Sequence, residues 1–191
     1  VHARAQRRGA GAVDRRAAGR ARHPAAGSGL CALFHLDPDH VAGISEVRGA
    51  KRLLVAEEEY FWSCRVNLRY TSRKLWMDEP PERFWYRVNH IGPESRSYDL
   101  FGDDSVHLVH IAGHTEGMFA TLIRNGERYV LLNADARPAH ALGREHRARH
   151  LRNSVRAKKA LDWISEMSRD AACAASLCSH DPDVAPQTIE F

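Results

Sequence analysis

The stretch LFHLDPDHVAGI, residues 33–44, places two imidazoles and two carboxylates within six positions: His35, Asp37, Asp39 and His40. The apolar run CALFHL leads into it and reads as the end of a buried strand. Pro38 and the small residues that follow, PDHVAGISEV, read as a loop entering a helix. Imidazole and carboxylate together suit hard or borderline divalent ions. Ligands close in sequence pre-order a site cheaply, because little chain must be immobilised. They do not close a coordination shell, so distant residues must complete it. Three later stretches offer donors where apolar strands end: His114 in IAGHTEG, Asp135 in LLNADA and His180 in LCSHDPD. One His or Asp at each strand end aims every ligand at a shared sheet edge.

The rest of the chain supplies strands and helices for such an edge. RLLVA, residues 52–56, is a strand-like run, and Glu57-Glu58-Glu59 after it reads as the acidic first turn of a helix, favoured by the helix dipole. Residues 63–90 are aromatic-rich and broken by Pro80-Pro81, an irregular excursion with a helix or strand inside it. SYDLFGDDSVHLVHIAG reads as two strands about a Gly-Asp-Asp turn, with His107 and His110 as strand histidines of core or surface rather than ligands. MFATLIRNGERYVLLNAD is a hairpin signal centred on Asn125-Gly126. VRAKKALDWISEMSRD carries Val155, Ala160, Leu161, Ile164 and Met167 at helical spacing. The C-terminal stretch reads as a short strand, a polar loop and an extended terminus. The aromatic residues of the excursion read as core or lid packing ahead of a substrate wall. Strands interleaved with helices give an α/β class.

Charge is unevenly spread. The 191 residues carry a net charge of +4, with a pI near 9.0 and 43% hydrophobic residues. Residues 1–30 hold seven arginines against one acid, Asp14, and what remains is slightly acidic. The basic pI therefore describes one segment and not a nucleic-acid-binding face. That segment reads as an Arg/Ala-rich disordered leader, and 31–191 as one domain. No apolar run of membrane-spanning length is present. Cys31, Cys64, Cys173 and Cys178 form no CxxC pair, which argues against a zinc finger or disulfide scaffold and for small buried side chains in a reducing cytoplasm. Residues 136–152 share the leader's Arg, Ala and His bias without periodicity, and a second metal site on His140, His146 and His150 is not expected. Both segments look like a GC-rich gene read out of frame.

His35-Leu36-Asp37-Pro38-Asp39-His40 resembles the His-x-His-x-Asp-His motif of the metallo-β-lactamase superfamily, and looks most like its N-acyl homoserine lactonase family. Gly113-His114, Asp135 and His180 match the later motifs in order and distance, over residues 33–135 and 153–191. The resemblance implies an αββα sandwich lacking its first N-terminal strands. It implies a first metal on His35, Asp37 and His114, a second on Asp39, His40 and His180, and Asp135 as the bridge. The implied cofactors are two divalent ions, zinc first and manganese or iron as alternatives; the extra carboxylate of Asp37 would shift preference toward the latter or weaken the first site. Paired metals polarise a carbonyl and hold a hydroxide nucleophile, and Asp39 would carry a proton to the leaving alkoxide. The implied activity is a cytoplasmic, metal-dependent hydrolase. It would open a small-molecule lactone or ester, above all an N-acyl homoserine lactone (quorum quenching), with no nucleic-acid or membrane partner. The alternative is a truncated or inactive protein of that fold. Two departures stand out. Asp37 replaces a histidine, as a changed ligand or as a cap of the following turn. Ala136-Arg137-Pro138 follows Asp135 where a tyrosine is common.

Overall fold

Strand β2 (Arg52–Ala56) shows how the layers form. Leu54 and Ala56 join Phe84, Leu108 and Phe119 in a cluster between two sheets, while Val55 faces Leu36, Val41, Ile44 and Trp76 on the other side. Strand β6 (Val106–His110) alternates likewise: Leu108 points inward, and Val109 points out to Ala160 and Ile164 of a long helix. A strand buried on both faces needs a near-continuous apolar run, which RLLVA supplies. The layers are helix, sheet, sheet and helix. The computed structural model describes residues 29–65, 68–136, 154–182 and 184–191. The arginine-rich leader over 1–28 and most of the irregular segment, 137–153, lie outside these residues.

The smaller sheet pairs β1 (Leu30–Ala32), β2 and β3 (Glu82–Phe84) in parallel. Two one-turn helices, α1 (Pro38–Val41) and α2 (Ile44–Val47), follow β1. Helix α3 (Glu57–Ser63) and a 3-10 segment (Leu68–Leu75) lie between β2 and β3. The larger sheet runs β4 (Arg87–Val88), β5 (Arg96–Asp99), β6, β7 (Phe119–Asn125), β8 (Arg128–Leu132) and β9 (Cys173–Leu177). It is antiparallel through β8, and β9 joins β8 in parallel, after helix α4 (Ser154–Arg169). Because β6 and β8 both run against β7, and β9 runs with β8, these three strands end at one edge. His114, Asp135 and His180 come just after those ends.

The hairpin forms with Asn125 opposite Arg128, so Gly126 takes the first loop position at φ 59°, which favours glycine. The excursion resolves into the 3-10 segment and two short strands; Tyr70, Trp76, Phe84 and Tyr86 are core, and Trp85 is exposed. His107 and His110 are core histidines. Ring nitrogens of His107 lie 2.9 Å from Ser97 Oγ and 2.5 Å from Asp104 Oδ1. Two expectations are corrected. Val155 fits the helical spacing of α4 yet is exposed, because it lies in the helix's first turn beyond the sheet. The cysteines are free, but none is fully buried, and Cys64 is exposed at the end of α3. Among the described residues, no helix is long and apolar enough to cross a membrane.

Candidate metal centre

The chain ends four structural runs at one edge, and each delivers a donor. Beyond β1, His35 is fully buried and Asp37 nearly so, while Asp39 and His40 ride on α1. Pro38 opens that helix at a position where its missing N–H costs nothing. His114 sits in the β6–β7 loop, Asp135 after β8 and His180 after β9. The last two loops are tied together: Asn133 N donates to Leu177 O at 2.7 Å and Ser179 N to Ala134 O at 2.8 Å. Ala134, next to Asp135, and His180 hold left-handed backbones at φ 48° and 57°, an unfavourable conformation carried in the two donor loops.

All seven expected residues come together. His35, His114 and Asp135 form one group of donor atoms; Asp39, His40, Asp135 and His180 form another. Asp135 is common to both. Its Oδ2 lies 3.6 Å from His35 Nε2 and 3.4 Å from His114 Nε2. Its Oδ1 lies 3.1 Å from His40 Nε2 and 3.6 Å from His180 Nε2. His180 Nε2 is also 3.2 Å from Asp39 Oδ2. Two donor groups sharing one carboxylate are the layout of a dinuclear divalent metal site. The donor chemistry fits such ions. His35 Nε2 and Asp135 Oδ1 are buried without a hydrogen-bond partner, and converging lone pairs of this kind call for a cation. Burial alone pulls the His35 imidazole down, but Asp135 and Asp37 beside it carry it up to about 9. Burial opposes ionisation of Asp135 too, yet His35 and His40 hold its carboxyl well below the usual range.

Asp37 stands apart. Its side chain makes no capping bond to α1, so it does not serve the following turn. Its Oδ2 lies 3.4 Å from His35 Nδ1 and 3.0 Å from His114 Nε2. Both its oxygens accept from Arg69: Nε donates to Oδ1 and Nη2 to Oδ2, each at 2.5 Å. Burial works against that carboxylate, but Arg69, then His114 and His35, hold it well below the usual range.

Sequence reading missed two residues that shape this edge. One is Arg69, whose Nη1 also donates to His114 O at 2.7 Å. The other is Glu59, which lies in the acidic first turn of α3 as read but is fully buried. It accepts from Leu36 N at 3.0 Å, Tyr70 O–H at 3.2 Å and Gly117 N at 3.1 Å, tying the first motif loop to the His114 loop. Tyr86 O–H donates to Gly117 O at 2.7 Å, and His110 Nε2 lies 2.9 Å from Glu116 O. Beside the centre a small open cleft is lined by Trp62, Arg69, Tyr70, Gly113, His114, Thr115 and Glu116.

No protein-family profile matches this chain, and no curated protein is similar to it. Solved structures do match in shape. A quorum-quenching N-acyl homoserine lactone lactonase superposes with a TM-score of 0.61 at 14% identity, over 90% of this chain and 67% of that one. A dizinc quorum-quenching lactonase bound to its product gives 0.58 at 13%, over 86% and 62%. A hydrolase of the β-lactamase superfamily gives 0.55 at 15%, over 87% and 61%. Another N-acyl homoserine lactone hydrolase is covered over 54% of its length, so the chain spans about half to two thirds of the structures it matches. At these identities the likeness shows the fold, which is the metallo-β-lactamase αββα sandwich.

Proposed function

We propose that the chain is a metal-dependent hydrolase that opens a lactone or ester, with N-acyl homoserine lactones as its foremost substrates. The observation that carries the reading is the sharing of Asp135 between two donor groups at one strand edge. His35 and His114, with Asp37 at their border, would hold one divalent ion, and Asp39, His40 and His180 the other. Zinc suits imidazole-rich donors, with manganese or iron next as carboxylates accumulate. Ions bound there supply Lewis acidity toward a carbonyl and a water that ionises near neutral pH.

The chain's own residues do the rest. Trp62 and Tyr70 give the cleft an apolar wall along which an acyl chain can lie, with the ester carbonyl toward His114. Asp39 is more than half exposed at the mouth of the centre, which lets it exchange protons with substrate and solvent. Its carboxylate takes the proton of the attacking water and passes it to the leaving alkoxide as the ester C–O bond breaks, giving a hydroxy acid. Solution in the cytoplasm is part of the proposal.

Proton release from N-hexanoyl homoserine lactone tests the reading. The metal-loaded chain should open it, chelation should stop it, and Asp39→Asn should lower kcat about 100-fold when both proteins are assayed at saturating metal. A metal-loaded chain inert toward lactones, esters and thioesters would overturn the reading. That result would favour the second one, a protein of this fold without catalysis. It draws on the chain spanning only 54% to 67% of the matching structures.

A further inference from the structure

Arg69 reaches the first half of the centre from the 3-10 segment between β2 and β3. Its Nη2 is 2.5 Å from Asp37 Oδ2 and 3.0 Å from His114 Nε2. These are two of the three donors expected for the first ion. The guanidinium thus stands where that half would offer its lone pairs. If His114 Nε2 is unprotonated, its lone pair accepts from Arg69. If it is protonated, it donates to Asp37 Oδ2, 3.0 Å away. In neither tautomer does the ring face outward as an open ligand. The pairing also accounts for the residue type at position 37. A two-pronged guanidinium contact needs two acceptor oxygens, which a carboxylate has and an imidazole lacks.

We propose that Arg69 is a built-in cation of the first half, so that this chain holds one divalent ion tightly, on Asp39, His40, His180 and Asp135. A second ion enters only where Arg69 yields. The inference rests on the hydrolase reading and revises the expected equality of the two halves. Two cations packed against the same carboxylates repel strongly in a partly buried site, so the second ion binds at least about 100-fold more weakly than the first. Arg69 also lines the cleft, so one end of it keeps a fixed positive charge when a single ion is bound.

The test is a count of ions. The metal-stripped full chain is titrated with Zn²⁺ and with Mn²⁺ against a competing chelator, and bound metal is measured by elemental analysis. One tight ion per chain is expected. Arg69→Gln should bring the count to two, and Arg69→Lys, which keeps the charge, should leave it at one. His180→Ala should remove the tight ion, and His114→Ala should spare it. Two ions of similar affinity in the parent chain would overturn the inference alone. So would a tight ion lost with His114 and kept without His180. No bound metal in any variant would overturn the hydrolase reading along with it. Should Arg69→Gln fail to fold, the parent count and the two histidine variants decide.

Discussion

His35, Asp37 and His114 sit in a half of the centre where side chains keep at most 11% of their exposure, whereas Asp39 and His180 keep 55% and 59%. The two halves share Asp135 and differ in what holds them. The buried half is braced by three side chains. Glu59 ties the first motif loop to the His114 loop, Tyr86 fixes Gly117, and Arg69 joins Asp37 to His114. Glycine is required where the brace is tightest: a Cβ on Gly117 would stand 2.1 Å from Glu59 N, and one on Gly113 would stand 2.5 Å from Ala157 Cα. The exposed half rests on strand ends and the Ser179–Ala134 bond. Burial makes the first half dependent on paired charges and close packing; in the second, Asp39 and His180 face solvent while His40 stays covered at 13%.

The comparison breaks most completely at the residue both halves share. Asp135→Ala is expected to abolish lactone opening and to leave bound metal near zero by elemental analysis, because each donor group loses a member. Glu59→Ala strikes the buried half alone. It leaves Leu36 N and Gly117 N without their acceptor and should cost about 3 kcal/mol of stability in urea unfolding. Gly117→Ala pushes α3 away from the loop and should cost about 2 kcal/mol in the same assay.

A pH series separates packing from metal chemistry in the bracing layer. His110 is stacked on Tyr86, and burial holds its pKa below the ordinary value. The unfolded chain therefore binds the proton more readily than the folded one. Stability from this residue is complete above about pH 6.5 and falls as pH drops below it. His110→Gln should flatten that slope, read from urea midpoints between pH 7.5 and 5.5. The smallest effect belongs to the exposed half: His180→Ala in the metal-free chain should shift stability by no more than about 0.5 kcal/mol.

What could be read from the sequence depended on how local its cause was. RLLVA follows from a continuous apolar run, the hairpin from Asn125-Gly126 between apolar flanks, and α4 from a period of 3.6, each within one segment. The seven candidate donors were legible because four crowd into residues 35–40 and the other three each stand at the end of an apolar run. Arg69 was not, since its partner Asp37 lies 32 positions away and nothing nearby marks it. The three successive glutamates do open α3, as read, but nothing local marks Glu59 as the one claimed by Leu36 and Gly117, 23 and 58 positions away. Asp37 showed itself as a departure from the motif, and its meaning became visible only beside the arginine.

The central claim is that these donors converge to hold divalent metal, and ligand-linked unfolding tests it most directly. Thermal unfolding of the metal-stripped chain would be followed without and with Zn²⁺ or Mn²⁺ at about 100 times its dissociation constant. Binding at that level should add about 2.7 kcal/mol and raise Tm by about 5–10 °C. Asp135→Ala should lose the rise. An unchanged Tm in the parent chain, or an equal rise in Asp135→Ala, would contradict the account.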